Sequence, residues 1–148
     1  MRTKIAALLL AMTVAPAWAA TCEVTVEGND QMKFNTNQIV VDKSCEKFTV
    51  TIKHAGKMAK AVMGHNFVLA KTADLQGVAG DAAKAGAAKD YIPDGDARVI
   101  AHTKLVGAGE SDSVTIDITK LDPAGDYSFF CSFPGHWAVM KGSFKIGA

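Results

Sequence analysis

Short runs of alternating apolar and polar residues recur along most of this chain and constrain its fold more than any other feature. Alternation with a period of two is typical of strands that bury one face, and clusters of Gly, Asn, Asp and Pro between the runs are typical of turns. Eight such runs in 148 residues predict an all-β protein of one domain, an eight-stranded β-sandwich or barrel. The runs are 24–26, 34 with 39–41, 48–52, 67–69, 99–106, 114–118, 127–131 and 139–146.

One stretch departs from this alternation. Residues 72–91, TADLQGVAGDAAKAGAAKDY, are rich in alanine and lack β-branched runs, a composition that favours helix. Glycines within the stretch keep the predicted helix short. We therefore predict one short helical insertion, a flap that covers one end of the sandwich.

The first 19 residues have the features of a secretory signal peptide. Arg2 and Lys4 precede an apolar run, and a small-x-small motif ends at Ala19. The apolar run, residues 5–14, is too short for a membrane anchor, since a spanning helix needs roughly 20 apolar residues. We expect cleavage after Ala19, a mature domain of residues 20–148 in the periplasm, and no membrane association.

The charge of the mature chain argues against nucleic acid as a partner. Without Arg2 and Lys4, 14 basic residues face 15 acidic ones, a formal charge of −1. The chain also has no basic block, no glycine-rich phosphate loop and no internal repeat. A monomer is the default expectation.

Three cysteines are an odd number for an exported protein, in which disulfides persist. Cys22 and Cys45 flank two short strand-like runs, and a bond between them would contribute roughly 3 kcal/mol to stability in the chain-entropy model. That pairing would leave Cys131 alone. An unpaired thiol in such a protein is expected to be buried, reactive or bound to a ligand.

The stretch FFCSFPGHWAVMKG, residues 129–142, brings three candidate metal ligands into ten positions. Cys131 ends an alternating strand and is expected on the same face as two aromatic residues of that strand. A Pro-Gly turn follows, with His136 on the turn and Met140 at the start of the return strand. A thiolate, an imidazole and a thioether on one hairpin suit a soft metal that also accepts nitrogen, which favours copper over magnesium, calcium or manganese.

A copper site of this kind needs a second imidazole. His65 is the favoured candidate, because it stands between Gly64 and Asn66 at the entrance to a strand, where its ring can project near the hairpin. His54, which closes a strand, and His102, which lies within one, are more typical of structural or surface histidines.

Other interpretations of the same residues stay open at this stage. Cys131 as a nucleophile with His136 as its base would make a hydrolase, although the sequence shows no oxyanion hole and no orienting carboxylate. A copper enzyme needs an open coordination position or a second centre, and the chain has no further histidine cluster. A zinc site has little use for Met140. Metal storage or delivery is a further alternative.

Beside the ligand hairpin, the stretches GNDQMKFNTN, VDKSC, VMGHN, RVIAHTKL and FFCSFPGH resemble those of the azurin family, bacterial blue-copper proteins among the cupredoxins. The likeness covers essentially the whole mature chain. It implies an eight-stranded Greek-key sandwich, a disulfide between Cys22 and Cys45, and one copper ion per chain. The implied ligands are His65, Cys131 and His136, with Met140 as a long axial contact and the carbonyl of Gly64 as a weak one opposite.

The resemblance also implies a function, namely one-electron transfer by a type 1 copper site without enzymatic activity. The implied partners are redox proteins, either c-type cytochromes or copper- or haem-containing reductases. Backbone amides of Asn66 and Phe133 would hydrogen-bond the Cys131 sulfur. His136 would pass electrons at the surface, inside an apolar docking patch enlarged by Trp137, where azurins commonly have a small residue. The patch residues are Met32, Met58, Val62, Met63, Phe133, Trp137 and Ala138.

Overall fold

The strands of the protein lie in the regions where its sequence alternates. The computed structural model describes residues 20–147, so the predicted signal segment, 1–19, lies outside the described residues. The strands are β1 Glu23–Gly28, β2 Gln38–Val41, β3 Lys47–His54, β4 Val68–Lys71, β5 Ala101–His102, β6 Ser111–Asp117, β7 Tyr127–Phe130 and β8 Lys141–Ile146.

The eight strands form two sheets. β1, β3 and β6 make a three-stranded sheet in that order, in which β1 is parallel to β3 and β6 is antiparallel to it. The five-stranded sheet has the order β2-β8-β7-β4-β5, with β2 parallel to β8 and the other neighbours antiparallel. Within residues 20–147, the predicted all-β architecture is confirmed as an open sandwich.

The core lies between the two sheets and follows from the alternation. In β3, Phe48, Val50 and Ile52 are buried, while the threonines between them are only half-buried. The five-stranded sheet supplies large aromatic rings, among which Phe129 and Phe144 are fully buried. Because burying a side chain of this size contributes about 1.5–3 kcal/mol, this layer fixes the positions of both sheets.

The chain has a short helix, α1 (Lys60–Met63), and a longer one, α2 (Leu75–Ala85), which covers the outer face of the five-stranded sheet. Short 3-10 helices at Thr72–Asp74 and Ala87–Lys89 flank α2, which confirms the predicted helical insertion. The flap covers a sheet face rather than only one end of the sandwich, because β4 and β7 present the apolar side chains of Val68, Ala70 and Phe130 on that face. We call the apolar group that it buries the flap cluster, which consists of Val68, Ala70, Leu75, Val78, Ala79, Ile92 and Phe130.

No helix in residues 20–147 combines the length and the apolar character needed to cross a membrane.

Arg98 fastens α2 to the segment before β5. Its guanidinium donates to the carboxylate of Asp81 in α2 at 2.7 Å and to that of Asp96 at 2.9 Å. Gly77 leaves space for this side chain, since a Cβ there would lie 2.7 Å from Arg98 Nη1. Hydrogen bonds from Lys84 and Arg98 lower the pKa of Asp81 to about 2.

The run 99–106 forms less strand than its apolar pattern predicts. Only Ala101–His102 belongs to β5. The Thr103 amide donates to the Phe67 carbonyl at 3.0 Å, but the Phe67 amide donates to the Thr103 hydroxyl, also at 3.0 Å. The Thr103 hydroxyl thus takes the place of a backbone carbonyl as acceptor, and the regular backbone pairing beside β4 ends there.

A disulfide joins Cys22 and Cys45, whose Cα atoms are 5.7 Å apart. This confirms the pairing implied by the resemblance. The bond ties the residue before β1 to the turn before β3, at the end of β3 opposite His54. Among the described residues, Cys131 is the one free cysteine, and it is buried.

Candidate metal centre

Three buried side chains converge at one end of the sandwich. The possible ligand atoms of His65, Cys131 and His136 all lie within 4.8 Å of one another. The Cys131 sulfur is 3.6 Å from His136 Nδ1 and 4.0 Å from His65 Nδ1. In the part of the chain that the structure describes, no other group of three His, Cys, Asp or Glu side chains is arranged in this way.

The register of the five-stranded sheet brings these side chains together. β4 and β7 are antiparallel, and Val68 pairs with Phe130. The segment just before β4 and the segment just after β7 therefore leave the sheet at the same end. His65 lies on the first segment and Cys131 on the second, although 66 positions separate them in the sequence.

The spacing of the three donors fits a single metal ion. A first-row divalent ion bonded to a thiolate at about 2.3 Å and to an imidazole at about 2.0 Å, with about 120° between the bonds, separates the two donor atoms by about 3.7 Å. The observed sulfur–nitrogen distances of 3.6 and 4.0 Å bracket this value. Two imidazoles and one thiolate form the donor set typical of blue copper.

His65 is fixed by its backbone and by its ring. Backbone hydrogen bonds in both directions join it to Val106, at 3.0 and 2.8 Å. Its Nε2 donates to the Asn29 carbonyl oxygen at 2.9 Å, which leaves the lone pair on Nδ1 for a metal. Burial lowers the pKa of His65 to about 4, while the Asn29 carbonyl acts in the opposite direction. The ring is therefore neutral near pH 7.

Cys131 follows β7 directly and is fully buried. Its amide donates to the Met140 carbonyl at 3.0 Å, which extends the hairpin pairing one residue beyond β7. Burial raises the pKa of the Cys131 thiol to about 12, and the backbone amides of Asn66 and Phe133 act in the opposite direction. A buried, protonated thiol is a poor nucleophile, which disfavours the hydrolase interpretation.

His136 begins a 3-10 helix, His136–Ala138, in the turn between β7 and β8. Gly135 precedes it with a φ of 82°, a left-handed conformation that favours glycine. The His136 carbonyl accepts from the Met140 amide at 2.7 Å, so β8 begins at Lys141, two residues later than predicted. Burial lowers the pKa of His136.

His136 is the more accessible of the two imidazoles. It retains 3% exposure, whereas His65 has none. Its ring packs against the ring of Phe133 with centroids 4.5 Å apart. Phe133 is itself half-buried, so an aromatic ring covers part of His136.

The two residues implied as axial contacts adjoin the three converging side chains. Met140 is fully buried, and its backbone is bonded to both Cys131 and His136. The carbonyl oxygen of Gly64 lies 3.8 Å from Cys131 Sγ. Gly64 follows a short helix, α1 (Lys60–Met63), and a Cβ at position 64 would lie 2.6 Å from the Lys60 carbonyl oxygen.

The side chain of Asn66 joins both ligand segments to the flap. Its Oδ1 accepts the Ser132 amide at 2.8 Å, and its Nδ2 donates to the Ser132 hydroxyl at 2.7 Å and to the Asp90 carbonyl at 3.0 Å. The Ser132 hydroxyl donates to the Tyr91 carbonyl at 2.7 Å. Asp90 and Tyr91 have φ of 53° and 55°, values that are uncommon outside glycine. Only the position of Asn66 beside His65 hinted at this network in the sequence.

The remaining histidines stand outside the ligand group. His54 is buried, and its ring nitrogens lie 2.9 Å from the Met63 carbonyl oxygen and 3.1 Å from the Gly56 amide. His102 is exposed on the edge strand β5. These positions agree with the structural and surface roles expected for them.

The predicted docking patch has exposed and half-buried members. Trp137 differs from the others, because it packs against the flap cluster. The exposed members are Met32, Met58, Val62 and Ala138, and the half-buried ones are Met63, Phe133 and Trp137.

Comparisons with known proteins agree with one another. The family described as copper binding proteins, plastocyanin/azurin family, matches residues 20–147. An azurin of Achromobacter denitrificans is 59% identical over 140 residues, 95% of this chain and 94% of that protein. An azurin of Pseudomonas aeruginosa is 55% identical over 147 residues, 99% of each chain. Among solved structures, the azurin Az-iso2 of Methylomonas sp. strain J has 45% identity and a TM-score of 0.84, covering 87% of this chain and 100% of the other.

Proposed function

The chain belongs to the plastocyanin/azurin family of copper-binding proteins, which makes it a blue-copper electron carrier, and we propose that it works in the periplasm through one type 1 site. The observation that carries this proposal is the convergence of His65, Cys131 and His136 in one buried group. Bound copper supplies the Cu(II)/Cu(I) couple. The protein supplies the ligands, their orientation and a surface for partners.

The proposed ligand set has three strong and two weak members. His65 Nδ1, Cys131 Sγ and His136 Nδ1 are the strong ligands, in agreement with their mutual distances. The Met140 thioether and the Gly64 carbonyl would hold the ion more weakly. The complete burial of Met140 and the 3.8 Å between the Gly64 oxygen and the Cys131 sulfur support these assignments.

Rigid ligands favour rapid electron transfer, because ligand movement between oxidation states adds to the barrier. The Asn29 carbonyl orients the His65 ring. The Asn66 side chain joins the segment that carries His65 to the segment that carries Cys131. Pro134 has no N–H, so it withholds a further hydrogen bond from the Cys131 region. Fewer donors leave a thiolate more electron-rich, which lowers the reduction potential.

Electrons pass through His136 and the apolar docking patch around it. The slight exposure of His136 and the larger exposure of Met32, Met58 and Val62 support this route. Methionine side chains give an adaptable surface that suits weak contacts with several partners. The partners are other redox proteins, such as c-type cytochromes or copper- or haem-containing reductases, and the carrier itself is a monomer.

The periplasm is the proposed location. It rests on the resemblance of residues 1–19 to a signal peptide cleaved after Ala19 and on the disulfide between Cys22 and Cys45, which persists in an oxidising compartment. The mature domain is then residues 20–148.

A copper titration tests the proposed function. Adding Cu(II) to the purified metal-free protein should produce an intense blue colour that saturates at one ion per chain. Cys131→Ser should abolish the colour, and His65→Gln should weaken or abolish it. His102→Gln is the matched control and should leave the titration unchanged, because His102 is exposed on β5. A colourless wild-type protein would contradict the proposal.

A further inference from the structure

Trp137 directly follows His136 and is the only tryptophan in residues 20–147. The resemblance implied a place for it in the docking patch, but its side chain is half-buried and packs against the flap cluster. Lys141 lies over the indole, with Nζ 5.8 Å from the ring centroid. The indole therefore links the turn that carries His136 to the flap.

The flap cluster is adjacent to the other hairpin ligand as well. Phe130 belongs to this cluster and immediately precedes Cys131. The opposite wall of the cluster is α2, from which Val78 is fully buried. Phe130, next to Cys131, and Trp137, next to His136, thus both pack in the apolar cluster that α2 covers.

The two imidazoles are supported in different ways. The Asn29 carbonyl accepts from His65 Nε2 at 2.9 Å, and His54 stacks on the His65 ring. Within the described residues, the ring of His136 has one hydrogen-bonding neighbour, the Cys131 sulfur at Nδ1. Ligand histidines usually donate their second N–H to a carbonyl or carboxylate, which fixes the ring. The orientation of His136 therefore depends on the turn and on packing.

The turn alone gives weak support. His136–Ala138 is a single 3-10 turn, and such short helices have poorer hydrogen-bond geometry than α-helices. A large side chain packed from the middle of this turn holds it against the body of the protein. An indole does so at low entropic cost, because it has only two rotatable side-chain bonds.

We propose that Trp137 is a positioning residue for His136: packed between the flap cluster and Lys141, it fixes the orientation of the His136 ring. It does for this imidazole what the Asn29 carbonyl does for His65. The inference rests on the proposed function, because it concerns a ring that serves as a copper ligand.

Three variants test the proposal in the copper-loaded protein. Trp137→Ala removes the anchor, Trp137→Phe keeps a smaller ring, and Val139→Ala removes an exposed side chain next to the same turn. We expect Trp137→Ala to weaken copper binding about tenfold, as is typical when outer-shell support of a ligand is lost. Its Cu(II) EPR hyperfine pattern should broaden, because the ring then adopts several orientations. Trp137→Phe should restore most of both properties, and Val139→Ala should change neither.

A metal-free readout separates positioning from folding. NMR relaxation of the His136 ring should show greater mobility in Trp137→Ala and in Val78→Ala, which loosens the flap cluster from α2 without changing the hairpin. If the wild type fails to turn blue, the proposed function fails while the mobility comparison still tests the anchor. Greater mobility in either variant supports the proposal. Unchanged mobility in both, whatever the loss of unfolding free energy, overturns it.

Discussion

The rings of His54 and His65 stack with their centroids 4.7 Å apart and their planes 17° from parallel. Both nitrogens of the His54 ring are hydrogen-bonded to the backbone, which fixes this ring. The His65 ring therefore packs against an immobile neighbour. Gly28 forms another wall of this space, since a Cβ there would lie 2.6 Å from His65 Cδ2. The His65 ring therefore has little room to move.

Gly28→Ala should displace the His65 ring. Because the new methyl group overlaps an imidazole that is already packed, we expect a loss of about 1–3 kcal/mol in the free energy of unfolding of the metal-free protein, together with weaker copper binding. Denaturant unfolding and a Cu(II) titration measure the two effects.

Gly80→Ala is the matched control for this prediction. Gly80 lies in α2, and a Cβ placed there would meet nothing within 4 Å apart from its chain neighbours and the backbone of its own helix. Alanine in a helix interior should stabilise the protein by about 0.5–1 kcal/mol and leave copper binding unchanged. Normal copper affinity in Gly28→Ala would show that the His65 ring is less confined than the packing indicates.

Met63→Lys should slow electron self-exchange at least about tenfold without changing the colour. Two copies that meet through the docking patch would then bring like charges together, which costs several kcal/mol when they are closely apposed. NMR line broadening in mixtures of oxidised and reduced protein measures the rate. Raising the salt concentration should recover part of it, because salt screens the repulsion.

Val40→Lys supplies the same new charge at a distant place. Val40 is exposed on β2 and lies near Gly147, which lines a cavity together with Cys45 at the disulfide end. Self-exchange in this variant should match that of the wild type. Equal self-exchange rates in Met63→Lys and Val40→Lys would show that electrons do not pass through the docking patch.

Replacing both Cys22 and Cys45 with serine should destabilise the protein by about 3 kcal/mol, because a crosslink over 23 residues no longer restricts the unfolded chain. Thermal unfolding with and without the bond measures the loss. The blue colour should persist, since the length of β3, about 23 Å, separates the disulfide from His54 and the site. A colourless double variant would indicate that the disulfide influences the copper site through β3.

Arg98→Met should reduce the amount of stability that the protein loses as the pH falls. The pKa of Asp81 is lowered by its hydrogen bonds with Lys84 and Arg98, and that of Asp96 chiefly by Arg98. Groups with lowered pKa contribute stability above their unfolded value near 3.8, and this contribution is lost as pH falls toward about 2.

The stability difference between the wild type and Arg98→Met should therefore be largest at pH 5–7 and shrink below about pH 4. Unfolding of the metal-free proteins across this range measures it. Lys145→Met, which removes an exposed cation from β8, should give a small difference that does not follow this pattern. A constant difference for Arg98→Met would mean that the carboxylates gain nothing from the arginine.

The alternation of single side chains predicted much of the fold. Phe129 lies in the main core and Phe130 in the flap cluster, as a period of two requires for neighbouring residues of β7. The spacing of Cys131 and His136 likewise predicted that they share one site, because a hairpin turn brings residues five positions apart into contact.

Other features depend on tertiary contacts that no local pattern records. The parallel pairing of β2 with β8 joins strands far apart in sequence. The support of His65 comes from a backbone carbonyl, that of Asn29, which carries no side-chain signal. The packing of Trp137 against the flap cluster also has no local signal, because the members of this cluster lie outside its own segment.

The order of the five-stranded sheet has a consequence for biosynthesis. β8 is the last strand within residues 20–147, yet it lies between β2 and β7. Until residue 146 has left the ribosome or a secretion channel, both of those strands have an unpaired edge, and such edges invite aggregation. The five-stranded sheet therefore closes only when β8 enters between two strands made much earlier, so its assembly waits for the strand of this domain that is synthesised last.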